Sequence, residues 1–198
     1  AAQEAGRLAE EIVPGGNETF ELEGYNPRRI RLPRKVEEVS ADTHPRPSPL
    51  EALARLRSVY PDGVQTAGNS SALVDGAAAT VSAKGSALSS SQPRLARLVA
   101  AAVAGVPPEI MGIGPAPAIR AVLERAGLTL DDIAIVEINE AQGAQIVACE
   151  RELELDRSKL NVNGGAIALG HPLAATGMRL TLSAARELRR RGARYARC

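Results

Sequence analysis

The residues best suited to chemistry begin with a histidine that closes a glycine-rich segment. Residues 161–172 read NVNGGAIALGHP, which places Gly170 and His171 between a predicted strand and a predicted helix. Glycines let the backbone approach a ligand closely, so Gly170 is a candidate binding residue. An imidazole at the positive end of a helix favours its neutral, proton-accepting form. A helix cap with a tight turn explains the same residues equally well, and this stretch holds no GxGxxG phosphate loop.

Four other residues also stand out, namely an asparagine, two cysteines and a methionine. Asn139 directly follows the apolar sequence IAIVEI, and open α/β folds bind ligands at the carboxyl ends of strands. Helix capping is the alternative role for an isolated Asn. Cys198 follows the strand-like GARYAR, whereas Cys149 lies in a predicted helix and is expected to be an inert buried thiol. Met111 begins a weaker signal, MGIGPAP, with two glycines before a helix.

Composition narrows the class of protein. The 198 residues include 24 Lys+Arg and 23 Asp+Glu, and this near-neutral balance gives no electrostatic footprint for nucleic acid or an anionic membrane. Three Tyr, one Phe and no Trp disfavour a base-stacking platform. Two Cys and two His are too few for a disulfide scaffold or a metal cluster. No apolar run approaches the ~18 residues that span a bilayer, and the first residues lack the apolar core of a secretory signal. We therefore expect a cytoplasmic protein with reduced thiols.

Hydrophobic periodicity predicts an α/β protein. Residues 1–60 are polar and rich in proline, which predicts a short helix, extended strands and turns, with a further helix over 49–59. A small-residue helix and a short strand are predicted within 65–84, before a Gly/Ser-rich linker. The remaining pattern predicts strands over 95–105, 133–138, 160–162 and 194–198, and helices over 117–126, 141–153 and 171–191. Alternating strands and helices favour a layered sheet.

Five of these segments resemble the thiolase family, and they occur in the family's order. TAGNSSALVDGAAA is similar to the family's TAGNAS…DGAAA, MGIGPAPA to its MGxGP, and EINEAQGAQ to its NEAFAAQ. NVNGGAIALGHPLAATGMRL is very similar to the signature GGAIALGHPxGxxG. DTHPRP…LEALARLR is similar to the stretch that precedes these segments in thiolases. Because the resemblance runs along essentially the whole chain, the sequence is identified as a member of this family.

The resemblance implies an α/β protein with the layered α/β/α/β/α thiolase fold, in which a loop domain is inserted in the first of two similar halves. This chain corresponds to a fragment of that fold, namely the second half plus part of the loop domain. Residues 1–64 correspond to part of the loop domain, 65–84 to the end of the N-terminal half, and 85–198 to the C-terminal half. The intact enzyme is expected to be a homo-oligomer.

The activity implied by the resemblance is that of an acyl-CoA C-acyltransferase of fatty acid and lipid metabolism. Thiolases cleave a 3-ketoacyl-CoA with CoA, or condense two acyl-CoA units in reverse, through a Cys thioester. By motif, His171 activates the nucleophile and donates to an oxyanion. Cys198 is the acid/base that moves the α-proton, and Asn139 orients a water in the oxyanion hole.

The resemblance also implies contacts with the substrates acyl-CoA and CoA. Ser71 corresponds to a residue near the pantetheine arm, Met111 to one that lines the acyl pocket, and Arg46 to a contact of a CoA phosphate. No metal or redox cofactor is implied, because CoA is itself the substrate.

The chain departs from the family pattern in ways that bear on activity. The nucleophilic cysteine of thiolases lies upstream of the loop domain, and no residue here matches it, since Cys149 has neither its context nor its position. Gln142 replaces the Phe of NEAF, which alters the apolar wall expected for the acyl pocket. We therefore expect no turnover from this chain alone. The alternatives are a non-catalytic CoA-binding or partner subunit and a ketoacyl-synthase-like condensing enzyme; the NEA triplet and the context of Cys198 favour thiolase over the latter.

Overall fold

The computed structural model of the chain describes residues 1–89 and 91–198. These divide into two compact units, Ala1–Arg46 and Pro47–Cys198. Within the described residues, every helix is too short or too polar to cross a membrane.

The first unit consists of short antiparallel strand pairs and turns. Strand β1 (Gly15–Gly16) pairs with β4 (Glu38–Val39), and β2 (Glu18–Phe20) pairs with β3 (Arg28–Ile30). Residues 2–11 form successive turns instead of the predicted short helix. Gly6 has φ +70° there, a left-handed conformation that interrupts a right-handed helix. The prediction of strands and turns is confirmed, and that of the helix is wrong.

The core of the second unit lies between two helices and a short parallel strand pair. Helices α2 (Pro115–Ala126) and α3 (Gly143–Leu153) pack together against strand β5 (Ile135–Val136), which pairs in parallel with β6 (Ala196–Arg197). The buried cluster that joins them is apolar: Ala116, Ile119, Leu123, Ile133, Val136, Ile138, Cys149 and Leu153. Helix α2 ends at Gly127, whose φ of +64° fits the left-handed position that follows a helix. These elements lie where the periodicity predicts them, to within a few residues at their ends.

Shorter elements complete the second unit. Helix α1 is Leu50–Leu53, α4 is Ala166–Leu169, and α5 is Thr176–Arg191. Single turns of 3-10 helix occupy Gly85–Ala87, Leu130–Asp132 and Arg157–Lys159, and a longer 3-10 segment spans Pro108–Ile113. The predicted strand at 160–162 is reduced to one parallel bridge between Leu160 and Val136.

The helix predicted over 49–59 is much shorter than expected. Helix α1 covers only four residues and buries none of them. Beyond it, Ser58 forms an antiparallel bridge with Thr66, and Val59 N donates to Gln65 O over 2.7 Å. These hydrogen bonds to a later segment use the backbone N–H and C=O groups that a longer helix would need.

Residues 71–84 form neither the predicted small-residue helix nor the predicted strand. Ser71 N donates to Ala141 O over 3.0 Å, and Ala72 O accepts from His171 N over 2.8 Å. The segment continues along the start of α5, where Thr80 Oγ1 lies 3.0 Å from Met178 Sδ. Contacts with distant residues therefore override the helix propensity of the alanines.

The buried strand predicted over 95–105 is also absent. Among the described residues, no backbone hydrogen bond joins 94–106 to another strand. The side chains of Leu98 and Val103 are 83% and 98% exposed. Exposure nevertheless alternates from residue to residue over 100–106, as in a strand with one covered face. The alternation is therefore typical of a strand, but the prediction that this segment is buried and paired in a sheet is wrong.

Helix α5 begins five residues later than predicted. Gly170 has φ +92°, and Pro172 O accepts from the N–H groups of both Ala175 and Thr176 over 2.9 Å, so a turn separates His171 from the helix. His171 is thus not the N-cap residue, and Leu173 is 69% exposed rather than part of the buried stripe. Leu180 and Ala184 are buried as predicted.

Candidate active site

Asn139 lies where the carboxyl end of a buried strand meets two other segments. Residues Ile135 to Ile138 are buried, and the chain leaves the core at Asn139. Gly143 N donates to Asn69 O over 2.7 Å, while Ser70 and Gln142 form an antiparallel bridge. The TAGNSS segment is therefore hydrogen-bonded to the residues that follow Asn139 along the chain.

His171 is fixed in this region through its backbone. The residue before it, Gly170, combines a positive φ with a close approach, because a Cβ added there would lie 2.5 Å from Val74 Cγ2. His171 N then donates to Ala72 O over 2.8 Å. Only glycine fits at position 170, because the Val74 side chain occupies the space of a Cβ, and the predicted approach of this backbone to a ligand stays a prediction.

The imidazole of His171 and the carboxamide of Asn139 are in contact. Asn139 Nδ2 lies 3.3 Å from His171 Nε2, and His171 Nδ1 lies 2.7 Å from Thr176 Oγ1. With the Thr176 hydroxyl donating to Pro172 O over 3.1 Å, Oγ1 accepts from Nδ1–H. This arrangement puts the proton of a neutral ring on Nδ1 and leaves the Nε2 lone pair facing the Asn139 amide.

This network also replaces the helix-cap argument for a proton-accepting imidazole. His171 is outside α5, yet its ring contacts Thr176, the first residue of that helix, and Thr176 is only 3% exposed. The ring therefore lies at the N-terminal end of the helix. Asn139 Oδ1 is buried without a hydrogen-bond partner among the described residues, so it is an unused acceptor beside the imidazole.

Cys198 lies at the same end of the strand pair, but its thiol makes a different contact. Val136 pairs with Arg197, and Glu137 N donates to Arg197 O over 2.8 Å, so Cys198 comes next on β6. Its Sγ lies 3.8 Å from Thr181 Oγ1. Thr176 and Thr181 are five residues apart on α5, or about 7.5 Å along the axis. The structure thus brings the imidazole and the carboxamide together and directs the thiol to the next part of the same helix.

The surroundings of both cysteines favour the protonated thiol over the thiolate. Burial raises the pKa of Cys198, and the nearby charge of Glu137 adds to this, while the hydrogen bond of Thr181 acts in the opposite direction. Cys149 is 0% exposed, and burial raises its pKa as well. The prediction that Cys149 is a buried thiol is confirmed. Neither environment favours a thiolate, the form in which cysteine acts as a nucleophile.

The other predicted binding residues have different surroundings. Ser71 is adjacent to Ala72, which binds the His171 backbone, and its hydroxyl donates to Ala141 O over 3.2 Å. Met111 is 77% exposed in the 3-10 segment before α2, and no described contact joins it to the imidazole. Arg46 is the last residue of the first unit. The roles of these three residues stay predictions.

Sequence reasoning gave no role to three residues that hold the imidazole and the carboxamide, although Glu140 and Asn161 lie in the two segments it singled out. Thr176 fixes the tautomer, and the side chains of Glu140 and Asn161 bind each other over 2.9 Å beside them. No spacing rule signals the first, because His171 lies outside α5 and residues five apart on a helix do not share a face. No local pattern signals the other two, whose contact joins distant segments. Among the residues described, no group of three or more His, Cys, Asp or Glu could hold a metal ion.

Comparison with known proteins gives concordant results along the chain. The family profile for the thiolase N-terminal domain matches residues 1–86, and that for the thiolase C-terminal domain matches residues 92–198. The chain is 48% identical over 206 residues to the 3-oxoadipyl-CoA/3-oxo-5,6-dehydrosuberyl-CoA thiolase of Escherichia coli, covering 100% of the chain and 47% of that protein. It is 44% identical over 199 residues to the mitochondrial 3-ketoacyl-CoA thiolase of Homo sapiens, covering 99% and 47%.

Solved structures agree with these matches. The crystal structure of human mitochondrial 3-ketoacyl-CoA thiolase in complex with CoA superposes with a TM-score of 0.81 at 41% identity, covering 100% of this chain and 47% of that one. The chain therefore spans about half the length of the curated relatives it matches.

Proposed function

Because the chain belongs to the thiolase family, we propose that it supplies the imidazole and carboxamide part of a thiolase active site. The reaction would be acyl transfer between CoA and the α-carbon of an acyl-CoA, in either direction. The fold of the chain is thiolase-like, and the relatives it matches carry thiolase names. CoA and acyl-CoA are the substrates in this proposal, and no resident cofactor is needed.

One observation carries the proposal most directly, namely the chain of hydrogen bonds from Thr176 through His171 to Asn139. Thiolysis needs a base that takes the proton of a nucleophilic thiol and then donates it to a developing oxyanion. A neutral imidazole with a free lone pair on Nε2 can do both in turn. In the structure the Asn139 amide N–H donates to this lone pair. Because a thiol is a much stronger acid than an amide, an approaching thiol displaces the amide from the lone pair.

The unused acceptor of Asn139 fits the second half of this role. Oδ1 is buried and can accept a hydrogen bond from a water, which would then present its other proton to a substrate oxyanion. An oxyanion hole built in this way would combine that water with the Nε2–H that forms on His171. Loss of one such donor costs about 10²–10³-fold in rate in other enzymes.

Cys198 is the proposed acid/base for the α-proton. Its raised pKa keeps a proton on Sγ at neutral pH, as a group that protonates a carbanion requires. In the structure this thiol contacts Thr181, so the proposal requires substrate or neighbouring chain to turn it toward the substrate α-carbon. Ser71, Gly170, Met111 and Arg46 are proposed to bind the substrates.

The chain is proposed not to turn over by itself, since no residue matches the cysteine that carries the acyl group. Mixing the chain with acetoacetyl-CoA and CoA tests this directly. We expect neither thiolysis nor a stable acyl adduct by intact-protein mass spectrometry. Sustained turnover with stoichiometric thioester on Cys149 or Cys198 would overturn the proposal.

A non-catalytic CoA-binding or partner subunit is the second candidate. Two observations favour it: no residue matches the acyl-carrying cysteine of thiolases, and the Asn139–His171 pair is intact. The two candidates differ when a polypeptide bearing the nucleophile is added, because a split enzyme gains activity and a binding subunit retains CoA affinity without activity. Thiolysis of acetoacetyl-CoA by CoA, with no decarboxylation step, would exclude a ketoacyl-synthase-like reaction.

Domain assignment and context follow from the same proposal. Residues 1–64 would belong to the loop domain, 65–84 to the N-terminal half and 85–198 to the C-terminal half. We also propose a cytoplasmic homo-oligomer for the intact enzyme, which size-exclusion chromatography and cell fractionation of the full-length protein would test.

A further inference from the structure

The two backbone groups on one side of Asn139 are held by a single side chain. Ile138 N donates to Asn161 Oδ1, and Asn161 Nδ2 donates to Ile138 O, each over 2.9 Å. Asn161 N also donates to Val136 O over 2.9 Å. Asn161 adopts φ +44°, a conformation that Asn tolerates better than most residues. The side chain of Asn161 thus fixes the strand end from which Asn139 projects.

The residue on the other side of Asn139 binds two further segments. Glu140 Oε1 accepts from Asn161 Nδ2 over 2.9 Å, and Glu140 Oε2 accepts from Ile167 N over 3.2 Å. Ile167 is the second residue of α4, and that helix ends at Leu169, two residues before His171. One carboxylate therefore joins the segment that bears the carboxamide to the segment that bears the imidazole.

Packing around this carboxylate is equally tight. A Cβ added to Gly165 would lie 2.2 Å from Glu140 Cδ and 2.4 Å from each of its oxygens. Gly165 has φ −136° and ψ −164°, so its backbone conformation is open to any residue. The glycine is needed here for space and not for flexibility, and the space is filled by the Glu140 carboxylate.

We infer that Glu140 is a positioning residue that holds Asn139 and His171 at hydrogen-bond distance by bridging Asn161 and helix α4. The Asn139–His171 bond is long at 3.3 Å, so a small displacement of either segment breaks it. Both bonds to the carboxylate are charge-assisted, and an amide in its place offers only one acceptor oxygen for two donors. The catalytic meaning of this inference rests on the proposed function, while its structural content does not.

The test is the state of the two His171 ring nitrogens in Glu140→Gln, measured by ¹⁵N NMR on the full chain. The chain has two histidines, so His44 is an internal reference. Above about pH 8, where an ordinary imidazole is neutral, the unchanged chain should show a protonated Nδ1 and an unprotonated Nε2 for His171. In Glu140→Gln we expect the Nε2 shift to move to that of an imidazole nitrogen without a hydrogen bond, while Nδ1 stays protonated because Thr176 is unchanged. Glu152→Gln is the matched control, since Glu152 pairs with Arg120 over 2.8 Å at a site where its side chain is 47% exposed.

A pair of variants separates hydrogen bonding from packing and covers the case in which Glu140→Gln does not fold. Gly165→Ala alone should destabilise the chain because of the overlap with Glu140. Glu140→Ala combined with Gly165→Ala removes that overlap and puts a methyl group where the carboxylate was. We expect the double variant to fold, by circular dichroism and amide dispersion, with the same change in the Nε2 shift of His171. Wild-type His171 shifts in a folded double variant, or in folded Glu140→Gln, would overturn the inference.

Turnover provides an independent readout once the nucleophile half is supplied. Misplacement of catalytic groups by about 1 Å costs on the order of 10²-fold, so kcat should fall by that factor in Glu140→Gln while KM for the CoA substrate changes little. Equal losses in Glu140→Gln and Glu152→Gln would contradict a positioning role. If the unaltered mixture is inactive, the proposed function fails, and the NMR result still decides whether Glu140 positions the two side chains.

Discussion

Replacing Thr176 with Val removes the acceptor that fixes the His171 tautomer and keeps the size and shape of the side chain. Nδ1–H would then lie in a buried position without a partner, at a cost of about 1–3 kcal/mol. The ring can relieve this cost by moving its proton to Nε2. Nε2–H would face the Asn139 amide N–H at 3.3 Å, so the carboxamide must turn and present Oδ1, which has no hydrogen-bond partner among the described residues. We therefore expect Thr176→Val to reverse the tautomer.

The assay is the ¹⁵N shift of the two His171 ring nitrogens above about pH 8. Thr176→Ser retains the hydroxyl and should keep the proton on Nδ1. Thr181→Val is the matched control, because it removes a hydroxyl one and a half turns further along the same helix. In an enzyme completed with the nucleophile half, a reversed tautomer removes the base at Nε2 and should lower kcat by about 10²–10⁴-fold. Unchanged ring shifts in folded Thr176→Val would refute the assignment of the proton.

Three further predictions concern stability and reactivity. The Glu187 carboxylate accepts hydrogen bonds from two arginines of its own helix and from an asparagine, which together lower its pKa from 4.5 to about 2. Because the folded pKa is the lower one, its stabilisation is complete above about pH 4.5 and is lost as the pH falls toward 2. Glu187→Gln should therefore cost at most about 3 kcal/mol at pH 7 and progressively less in acid, by urea unfolding at each pH. Gly170→Ala should destabilise the chain by more than about 1 kcal/mol, and adding Val74→Ala should recover only part of this, since the overlap is relieved and the positive φ is not. Iodoacetamide should label Cys198, an exposed residue whose thiol is partly covered, faster than buried Cys149, so equal labelling rates in the native state would contradict the described core.

Local signals were sufficient for the helices and strand ends that the core encloses. Helix α2 ends before Gly127 because glycine adopts the left-handed conformation cheaply, and this can be read from the sequence. Asn139 after IAIVEI and His171 after a glycine can also be found from the sequence, because both follow breaks in apolar periodicity. The structure brings these two side chains into contact, and their catalytic roles stay predictions.

Contacts between distant segments account for the predictions that failed. A strand over 95–105 requires a partner strand, and alternation of Ala and Val cannot say whether one is present. The start of α5 depends on His171 N binding Ala72 O, which lies far earlier in the sequence. The bridge from Glu140 to Asn161 and Ile167 is of the same kind. Residue types alone give no information on which of these donors and acceptors meet.

Thiolysis of acetoacetyl-CoA by CoA, measured with and without the N-terminal part of the E. coli relative, is the most direct test of the central claim. That claim is that this chain contributes His171 and Asn139 to a thiolase site whose nucleophile lies outside it. The expected result is no turnover by either polypeptide alone, turnover in the co-purified complex, and its loss when this chain carries His171→Ala. Turnover by the chain alone, or an active complex indifferent to His171→Ala, would contradict the claim.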